Sequence, residues 1–478
     1  MKVLKFGGTS QSIQGYKIIK NIISDTLKTK DKLIIVLSAL SGTTNLLEKY
    51  VQTKEYKYIN DVLIKHNEFV MCLNETFNTH IDIKSVLNRL YKLCDEYNLD
   101  ENPTVHLKAR IIGFGEVLST NILYELVTKR SYLTTECSHA PVEKLGSGES
   151  GESDKKELIS SDQCSNVVNN DILEVASLSE KIDILNSYMF IHSKKETSKL
   201  YPSVEFYCCD LIKDVIKEKQ IYITQGFIAT TPNQNFILLG RGGSDTTGAL
   251  IANTLNADEY QVWTDVDGIY TADPRIVQSA KKMNKIGYEY VQEMAGMGAK
   301  VMHPYSIMPC AKKNIPIIIK NTFNETNEGT IIGNSIEKIN SVASQKNITL
   351  FKITSLHMWE GSGFVYDIFK KFSDKKVNVG IITTSQFSIS ATTDEKDTNI
   401  LQELSEDLSD TYEVEMKQKQ SIVSIVSSSL KDVIDKINLN EFEKEIIHFS
   451  SNNMTVSFVL DEKQSDGVVR MLHSKVIN

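Results

Sequence analysis

Lys2-Val3-Leu4-Lys5-Phe6-Gly7-Gly8-Thr9-Ser10 sets the architecture of this chain. Val3 to Phe6 reads as a short apolar strand, and Gly7-Gly8 interrupts it. Ile13, Tyr16, Ile19, Ile22, Ile23 and Leu27 then recur at helical spacing. Leu33-Ile34-Ile35-Val36-Leu37 is a continuous apolar run, the pattern of a strand buried on both faces. Strand, glycine-rich loop, helix and strand in that order predict the opening of a three-layer α/β domain with a mostly parallel sheet.

Downstream, residues 61 to 130 read mainly as helix, broken at Gly113-Phe114-Gly115. Tyr132 to Glu136 suits a strand, and the Gly/Ser/acid stretch from Gly146 to Asp154 suits a mobile surface loop. The chain is weakly patterned from there to about Pro202. Ile221 to Thr224, Phe236 to Leu239, Tyr260 to Trp263 and Ile315 to Ile319 read as further strands, with a small-residue helix through Ala252. Alternation of strand and helix through about residue 325 points to one large α/β domain. After about Ser341 the texture changes to two compact βαββ-type units. Strands are expected at Ile348 to Ile353, Val377 to Ile381, Phe387 to Ala391, Ser421 to Val426 and Met454 to Leu460.

The chain has 478 residues, which at roughly 150 per domain suggests about three domains. Hydrophobic residues make up 41% and charged residues 24%, which excludes a mostly disordered chain, a collagen-like repeat and a membrane bundle. No apolar run approaches the ~18 residues of a spanning helix. Basic residues number 53 against 61 acidic ones, a formal net charge of −8. With no long basic block, neither nucleic acid nor a membrane is an expected partner. The seven cysteines, Cys72, Cys94, Cys137, Cys164, Cys208, Cys209 and Cys310, form no CxxC pair and suit a reducing compartment. No basic, apolar leader precedes the first strand, so the expectation is a cytoplasmic protein.

Four segments carry the chemistry. In Lys5-Phe6-Gly7-Gly8-Thr9-Ser10, paired glycines let backbone N–H groups approach an anion, and the Lys5 ammonium could reach phosphate oxygens. The same residues also fit a tight turn before a helix. Gly240-Arg241-Gly242-Gly243-Ser244-Asp245 couples glycines to a helix start. Arg241 could grip a carboxylate, and Asp245 could hold Mg²⁺ or orient Lys5. Ser244 or Asp245 equally fits a plain helix cap. From Trp263 to Arg275, Asp-Gly and Asp-Pro dipeptides define a tight loop. Tyr270 and Arg275 bring it an aromatic face and a guanidinium, which suit a nucleotide base and its phosphates. Gly298-Ala299-Lys300-Val301-Met302-His303-Pro304 supplies a third cation, and His303 is assigned no chemistry.

These motifs, in this order, resemble an aspartate kinase of the amino-acid kinase superfamily. Ser38-Ala39, Gly42, Thr44-Asn45, Gly115-Glu116 and Leu118-Ser119 match two further motifs of that family. The resemblance covers nearly the whole chain. It implies a three-layer αβα kinase domain over about 1–335, followed by tandem ferredoxin-like βαββαβ ACT units over about 345–478. The first unit is expected at about 345–420 and the second at 421–478, with interleaving allowed.

The implied reaction is transfer of the γ-phosphoryl group of MgATP to the β-carboxylate of L-aspartate. Its product is 4-phospho-L-aspartate, the entry to lysine, threonine and methionine synthesis. Lys5 and Asp245 would be catalytic. Ser38, Thr44, Glu116, Phe227, Arg241 and Ser244 would bind aspartate, with Glu116 taking its α-ammonium group. Lys5, Gly7, Gly8, Ser10, Thr264, Asp265, Tyr270, Arg275, Lys300 and Val301 would hold ATP. Met358, Gly361, Phe364, Val365, Thr384 and Ser385 would meet an amino-acid effector, lysine or threonine. A homodimer joined through the ACT units, or a higher assembly of it, is expected.

The chain departs from the family pattern in three places. Leu238 stands where relatives carry a hydroxyl in the aspartate pocket, a change of ~1 kcal/mol for one neutral hydrogen bond. Residues from about 146 to 200 resemble an insertion, expected as a surface excursion. Gly380 stands where lysine-regulated relatives commonly carry Asp. Two other functions fit the same residues. One is a kinase of this fold for another carboxylic amino acid, which a substrate panel would reveal. The other is a non-catalytic amino-acid sensor working through its ACT pair, which would bind ATP without turnover.

Overall fold

The computed structural model describes residues 1–129, 179–299, 302–334, 337–355, 363–438, 440–449 and 453–477. The strand expected at Tyr132 to Glu136 and the loop from Gly146 to Asp154 lie outside the described residues. The chain divides into two compact units, Met1–Thr264 and Asp265–Asn478. That division lies upstream of the boundary near residue 335 expected from sequence texture.

In the first unit, β1 (Lys2–Phe6) pairs in parallel with β2 (Leu33–Leu37). Further along are β3 (Ile182–Leu185), β4 (Ile191–Ser193), β5 (Phe206–Cys208), β6 (Ile221–Gln225), β7 (Ile228–Thr230), β8 (Phe236–Leu238) and β9 (Glu259–Thr264). Parallel pairing gives the strand order β9-β1-β2-β6-β3. Every residue of β2 and β6 is buried. Alternate side chains point to opposite faces, so both faces of the sheet are covered, as the continuous apolar runs require.

The covering helices are α1 (Ile13–Leu27), α2 (Thr43–Thr53), α3 (Lys57–Phe77), α4 (Lys84–Leu99), α5 (Val105–Ile112), α6 (Phe114–Thr128), α7 (Ile212–Val215) and α8 (Gly243–Leu255). Helix α6 packs on β2, β3 and β6, and α8 packs on β1, β2 and β9. The break expected at Gly113-Phe114-Gly115 is the junction of α5 and α6. A smaller sheet, in the order β5-β4-β7-β8, carries the chain around Phe227 and Leu238.

Part of the expected insertion is structural. Between residues 179 and 200, β3 adds an edge strand to the main sheet, and β4 joins the smaller one. Ile182, Leu185, Phe190 and Ile191 are buried. Their apolar contacts contradict a pure surface excursion for this stretch.

The second unit contains β10 (Lys285–Gly287), α9 (Tyr288–Gly296), α10 (Pro304–Ala311), β11 (Ile317–Asn321) and β12 (Thr330–Gly333). Strand β12 pairs in parallel with β10 and antiparallel with β11. A six-stranded antiparallel sheet follows, built from β13 (Asn340–Thr354), β14 (Ile382–Thr384), β15 (Ser388–Thr393), β16 (Glu413–Ser427), β17 (Ile446–Phe449) and β18 (Thr455–Asp461). Its order is β14-β15-β13-β16-β18-β17. The accompanying helices are α11 (Phe364–Asp374), α12 (Thr398–Ser409), α13 (Leu430–Ile434) and α14 (Ser465–Val476).

Two strands of 15 residues, β13 and β16, run through both halves of this sheet. Their register runs from Asn340↔Ser427 to Thr354↔Glu413, with irregularities between Gln345 and Leu350. On one side of those irregularities, Phe351 and Ile353 share a core with Ile368, Phe372, Leu401 and Leu404. On the other, Val342 joins Val423, Ile425, Phe458, Val469 and Leu472. The first half therefore reads β13, α11, β14, β15, α12, β16, which is the βαββαβ order. The second reads β16, α13, β17, β18, α14 and borrows the start of β13.

One strand expectation needs correction. Val377 to Ile381 is irregular, and β14 begins only at Ile382. The Thr392 hydroxyl accepts the Ile381 N–H at 2.7 Å, which takes that group out of a regular ladder. A Cβ at Gly380 would stand 2.9 Å from the same hydroxyl oxygen, so this close approach favours glycine.

Candidate active site

The strand order brings four loops to the carboxyl ends of β9, β1, β2 and β6. Three hydrogen bonds extend the pairing one step beyond the strands. Gly7 N–H donates to Trp263 O at 3.1 Å, Ser38 N–H to Phe6 O at 3.1 Å, and Gly226 N–H to Leu37 O at 2.9 Å. Thr264, Gly7, Ser38 and Gly226 thus end neighbouring strands. The carboxyl edge of a parallel sheet is the usual ligand side of this architecture. Glycine makes two of the close approaches here. A Cβ on Gly115 would meet Ala39 Cβ at 2.7 Å, and one on Gly226 would meet Ser244 Cβ at 2.5 Å.

Lys5 and Asp245, 240 positions apart, form an ion pair of 2.6 Å with side chains only 10% and 14% exposed. The plain-cap reading of Ser244 and Asp245 does not hold: the N-cap of α8 is Gly242, with no side-chain cap bond. Asp245 instead places the Lys5 ammonium beside the glycine loop, where a Cβ on Gly7 would lie 3.4 Å from Lys5 Nζ. Removing one partner of such a pair leaves a buried charge, at a cost of ~3–5 kcal/mol. Ser10 is fully buried and its hydroxyl donates to Trp263 O at 3.0 Å, so it fastens the loop to β9.

Glu116, in the first turn of α6, is 3% exposed. Burial pushes its carboxyl up to about 8, against the opposing pull of hydrogen bonds from the backbone of Glu116 and Ala39. Its Oε2 is buried and has no hydrogen-bond partner. Leaving such an oxygen bare costs ~1–3 kcal/mol or more.

Phe227 stands between β6 and β7 with φ of +70°, a backbone conformation that aromatic residues seldom adopt. Thr247 holds it there: its Oγ1 accepts the Phe227 N–H at 3.1 Å and donates to Gly243 O at 3.0 Å. Arg241 is exposed between Gly240 and Gly242, whose φ angles are +78° and +68°. No carboxylate among the described residues pairs with it. Ser244 is buried, and Ser38 and Thr44 are half-buried. Leu238 is fully buried in an apolar cluster with Ala109, Ile112, Phe227 and Ile228.

Sequence reasoning missed Thr247 and Tyr201. The Tyr201 hydroxyl donates to the Glu48 carboxylate, and its ring lies 6.3 Å from that of Phe227. Glu116 adds to the rise of the Tyr201 pKa, after burial and Glu48. Thr247 closes the glycine-rich segment that begins at Gly240, where the sequence assigns it no role, and Tyr201 belongs to no multi-residue pattern.

Asp265, Tyr270 and Arg275 belong to the second unit. Asp265 is exposed, and Tyr270 is half-buried with a β-bridge to Lys282. Arg275 pairs with Asp273 at 2.7 Å and is 83% exposed. The Thr271 hydroxyl accepts the Lys281 N–H at 2.9 Å and lies 2.9 Å from His473 Nε2 on α14. Lys300 and Val301 lie outside the described residues. So do Met358 and Gly361 of the effector set. Phe364 and Val365 open α11, Thr384 ends β14, and Ser385 turns toward Ser388, its N–H donating to Ser388 O at 2.8 Å. Val365, Thr384 and Ser385 are exposed.

The Amino acid kinase family profile matches residues 202–321. An aspartate kinase of Pseudomonas putida is 31% identical over 283 residues, covering 55% of this chain and 68% of its own. The chain belongs to the aspartate kinase family. Across nearly its whole length it also resembles lysine-sensitive aspartokinase 3 of Escherichia coli, at 26% identity over 500 residues, covering 99% of this chain and 98% of the other. A crystal structure of E. coli aspartokinase III in complex with aspartate and ADP has a TM-score of 0.74 at 24% identity, with both chains fully covered. That likeness shows the fold. Membership in the aspartate kinase family makes the chain an ATP-dependent kinase, and no described helix is long and apolar enough to cross a membrane.

Proposed function

We propose that the chain transfers the γ-phosphoryl group of ATP to the β-carboxylate of L-aspartate, giving 4-phospho-L-aspartate. The observation that carries this reading is the bare, buried carboxylate oxygen of Glu116. It lies in the same strand-end cluster as the Lys5–Asp245 pair. Ala39 links them: its backbone contributes to holding Glu116, and its carbonyl oxygen would lie 3.0 Å from a Cβ on Gly8. Glu116 takes the substrate's α-ammonium group. Arg241, exposed between two glycines, clamps a substrate carboxylate bidentately. Ser38, Thr44, Phe227 and Ser244 complete that pocket.

Phosphoryl transfer needs placement and charge neutralisation more than covalent help. Lys5 supplies the positive charge for the transferring group, and Asp245 holds Lys5 in place. Gly7 and Gly8 let the backbone approach the phosphates, while Ser10 anchors that loop. Thr264, Asp265, Tyr270, Arg275, Lys300 and Val301 complete the nucleotide-binding set by their place in the family motifs. Mg²⁺ would neutralise charge on the phosphates.

The kinase function spans about 1–335 and regulation about 345–478, in two interleaved ACT units. A lysine or threonine effector meets the first ACT unit at Phe364, Val365, Thr384 and Ser385, with Met358 and Gly361. A homodimer forms through that sheet, in a cytoplasmic setting. Hydroxylamine traps an acyl phosphate, so the test is hydroxamate formation from MgATP with aspartate or glutamate. Aspartate-dependent signal is expected. Signal with another acid alone would replace the substrate, and silence with all acids would sink the kinase reading.

A further inference from the structure

A second cavity, of about 530 Å³, opens in the first unit between α4, α5, α6 and the β7–β8 hairpin. Arg89 and Lys92 lie one turn apart on α4, and Arg110 comes from α5. These three cations face one carboxylate, Glu96, whose distance to Arg110 is 4.0 Å, at the limit of an ion pair. His106 adds no compensating charge. Its Nδ1 accepts the Phe236 N–H at 2.8 Å, and burial followed by the Arg110 charge lowers its pKa. The ring is therefore neutral at ordinary pH.

The rest of the lining is apolar and aromatic. Phe236 lies 4.9 Å from Tyr188 at a 43° tilt and meets His106 edge-on at 5.2 Å. Phe114 lies 5.9 Å beneath the Arg89 guanidinium. An aromatic floor with an unbalanced set of cations is complementary to one kind of small molecule. We infer that this cavity is a binding site for an amphipathic organic anion, an aromatic ring on a short chain ending in a carboxylate. The ring lies on Phe236 and Tyr188, and the carboxylate meets the arginine pair.

The cavity shares its wall with the candidate active site. Val117 and Ile228 line it, and they are the chain neighbours of Glu116 and Phe227. An occupant therefore acts on the aspartate pocket. This last step rests on the aspartate kinase reading, whereas binding itself does not.

Calorimetric titration of the full chain with 4-phenylbutyrate and its uncharged amide tests the site. The acid is expected to bind at least tenfold more tightly than the amide. Arg89→Gln with Arg110→Gln should weaken the acid at least tenfold and leave the amide unchanged. Lys92→Gln, a single change on an exposed helix face, should weaken the acid at least twofold and keeps the test valid if the double variant misfolds. Equal binding of acid and amide, binding of neither up to millimolar concentration, or variants that bind the acid like wild type would overturn the site. In the hydroxamate assay, saturating 4-phenylbutyrate should change the KM for aspartate at least twofold with the KM for ATP unmoved. An unmoved aspartate KM would overturn the coupling.

Discussion

Two ion pairs of nearly equal length occupy opposite surroundings. Lys5–Asp245 spans 2.6 Å at 10% and 14% exposure, and Arg275–Asp273 spans 2.7 Å with the arginine 83% exposed. The first joins a strand to a helix 240 positions away, and the second closes a local turn. Coulomb attraction in water is weak and screened, so an exposed pair contributes ~0–1 kcal/mol. The buried pair is costly to break and keeps an ammonium aimed at the glycine loop. Distance alone does not rank these contacts; what surrounds them does.

The strongest way to break this contrast is at Lys5. Lys5→Ala is expected to reduce hydroxamate formation by about 10³-fold, the scale of losing a charge-stabilising group. Asp245→Asn should come close to it, because Lys5 loses its anchor. Circular dichroism should show both folded. Turnover near wild type in either would remove that residue from the mechanism.

Glu116 comes next. Glu116→Gln is expected to raise the KM for aspartate roughly 10–100-fold, the range for a charged hydrogen bond of ~1.5–3 kcal/mol. The pH profile sharpens the point. Burial pushes the carboxyl up to about 8, and the α-ammonium group needs it ionised. Aspartate kcat/KM should therefore rise toward pH 8 by up to a decade per unit, and flatten in Glu116→Gln. A wild-type profile that is flat from pH 6 to 8 would contradict the assignment.

The same group acts on stability. Between the ordinary carboxylate range and about 8, the folded chain holds a proton that the unfolded chain has lost. Its contribution to stability therefore fades as pH rises toward 8. Urea unfolding of the ligand-free protein should show Glu116→Gln gaining on wild type from pH 5 to 8. A constant difference would place the burial penalty elsewhere. The smallest effect is expected at Arg275→Ala: a melting temperature within a degree or two of wild type, beside a several-fold higher KM for ATP. A large loss of stability would show that the exposed pair matters to the fold.

The fold was largely legible because its signals are local. The continuous apolar run at Leu33–Leu37 specifies a strand covered on both faces, Ile221–Thr224 reads as a strand entering a loop, and glycine loops specify where such strands end. Lys5, Asp245 and Glu116 were legible because they stand in multi-residue motifs. The roles of Thr247 and Tyr201 were not: Thr247 closes the glycine-rich segment that begins at Gly240 but serves Phe227, 20 positions away, and Tyr201 is a lone polar residue paired with Glu48. The strand at Ile182–Leu185 was hidden by its length of four residues and the polar sequence before it. Interleaving of the two units was anticipated, but the strand that carries it was not: the expected strand begins at Ile348, whereas β13 starts at Asn340 and crosses two cores through the irregular pairing between Gln345 and Leu350.

That shared strand has a consequence for synthesis. Strand β13 ends at Thr354, but its partner β16 is complete only at Ser427. At ~5–20 residues per second on the ribosome, the gap lasts roughly 4–15 seconds. Throughout it, β13 carries Leu350, Phe351 and Ile353 without the strand that later covers its second edge. The first half of the sheet cannot close until β16 has emerged, and the second must wait further for β18 and α14. A nascent chain stalled near Ser409 would thus expose apolar sheet to chaperones and proteases, and a regulatory half expressed alone would need its borrowed strand spliced back.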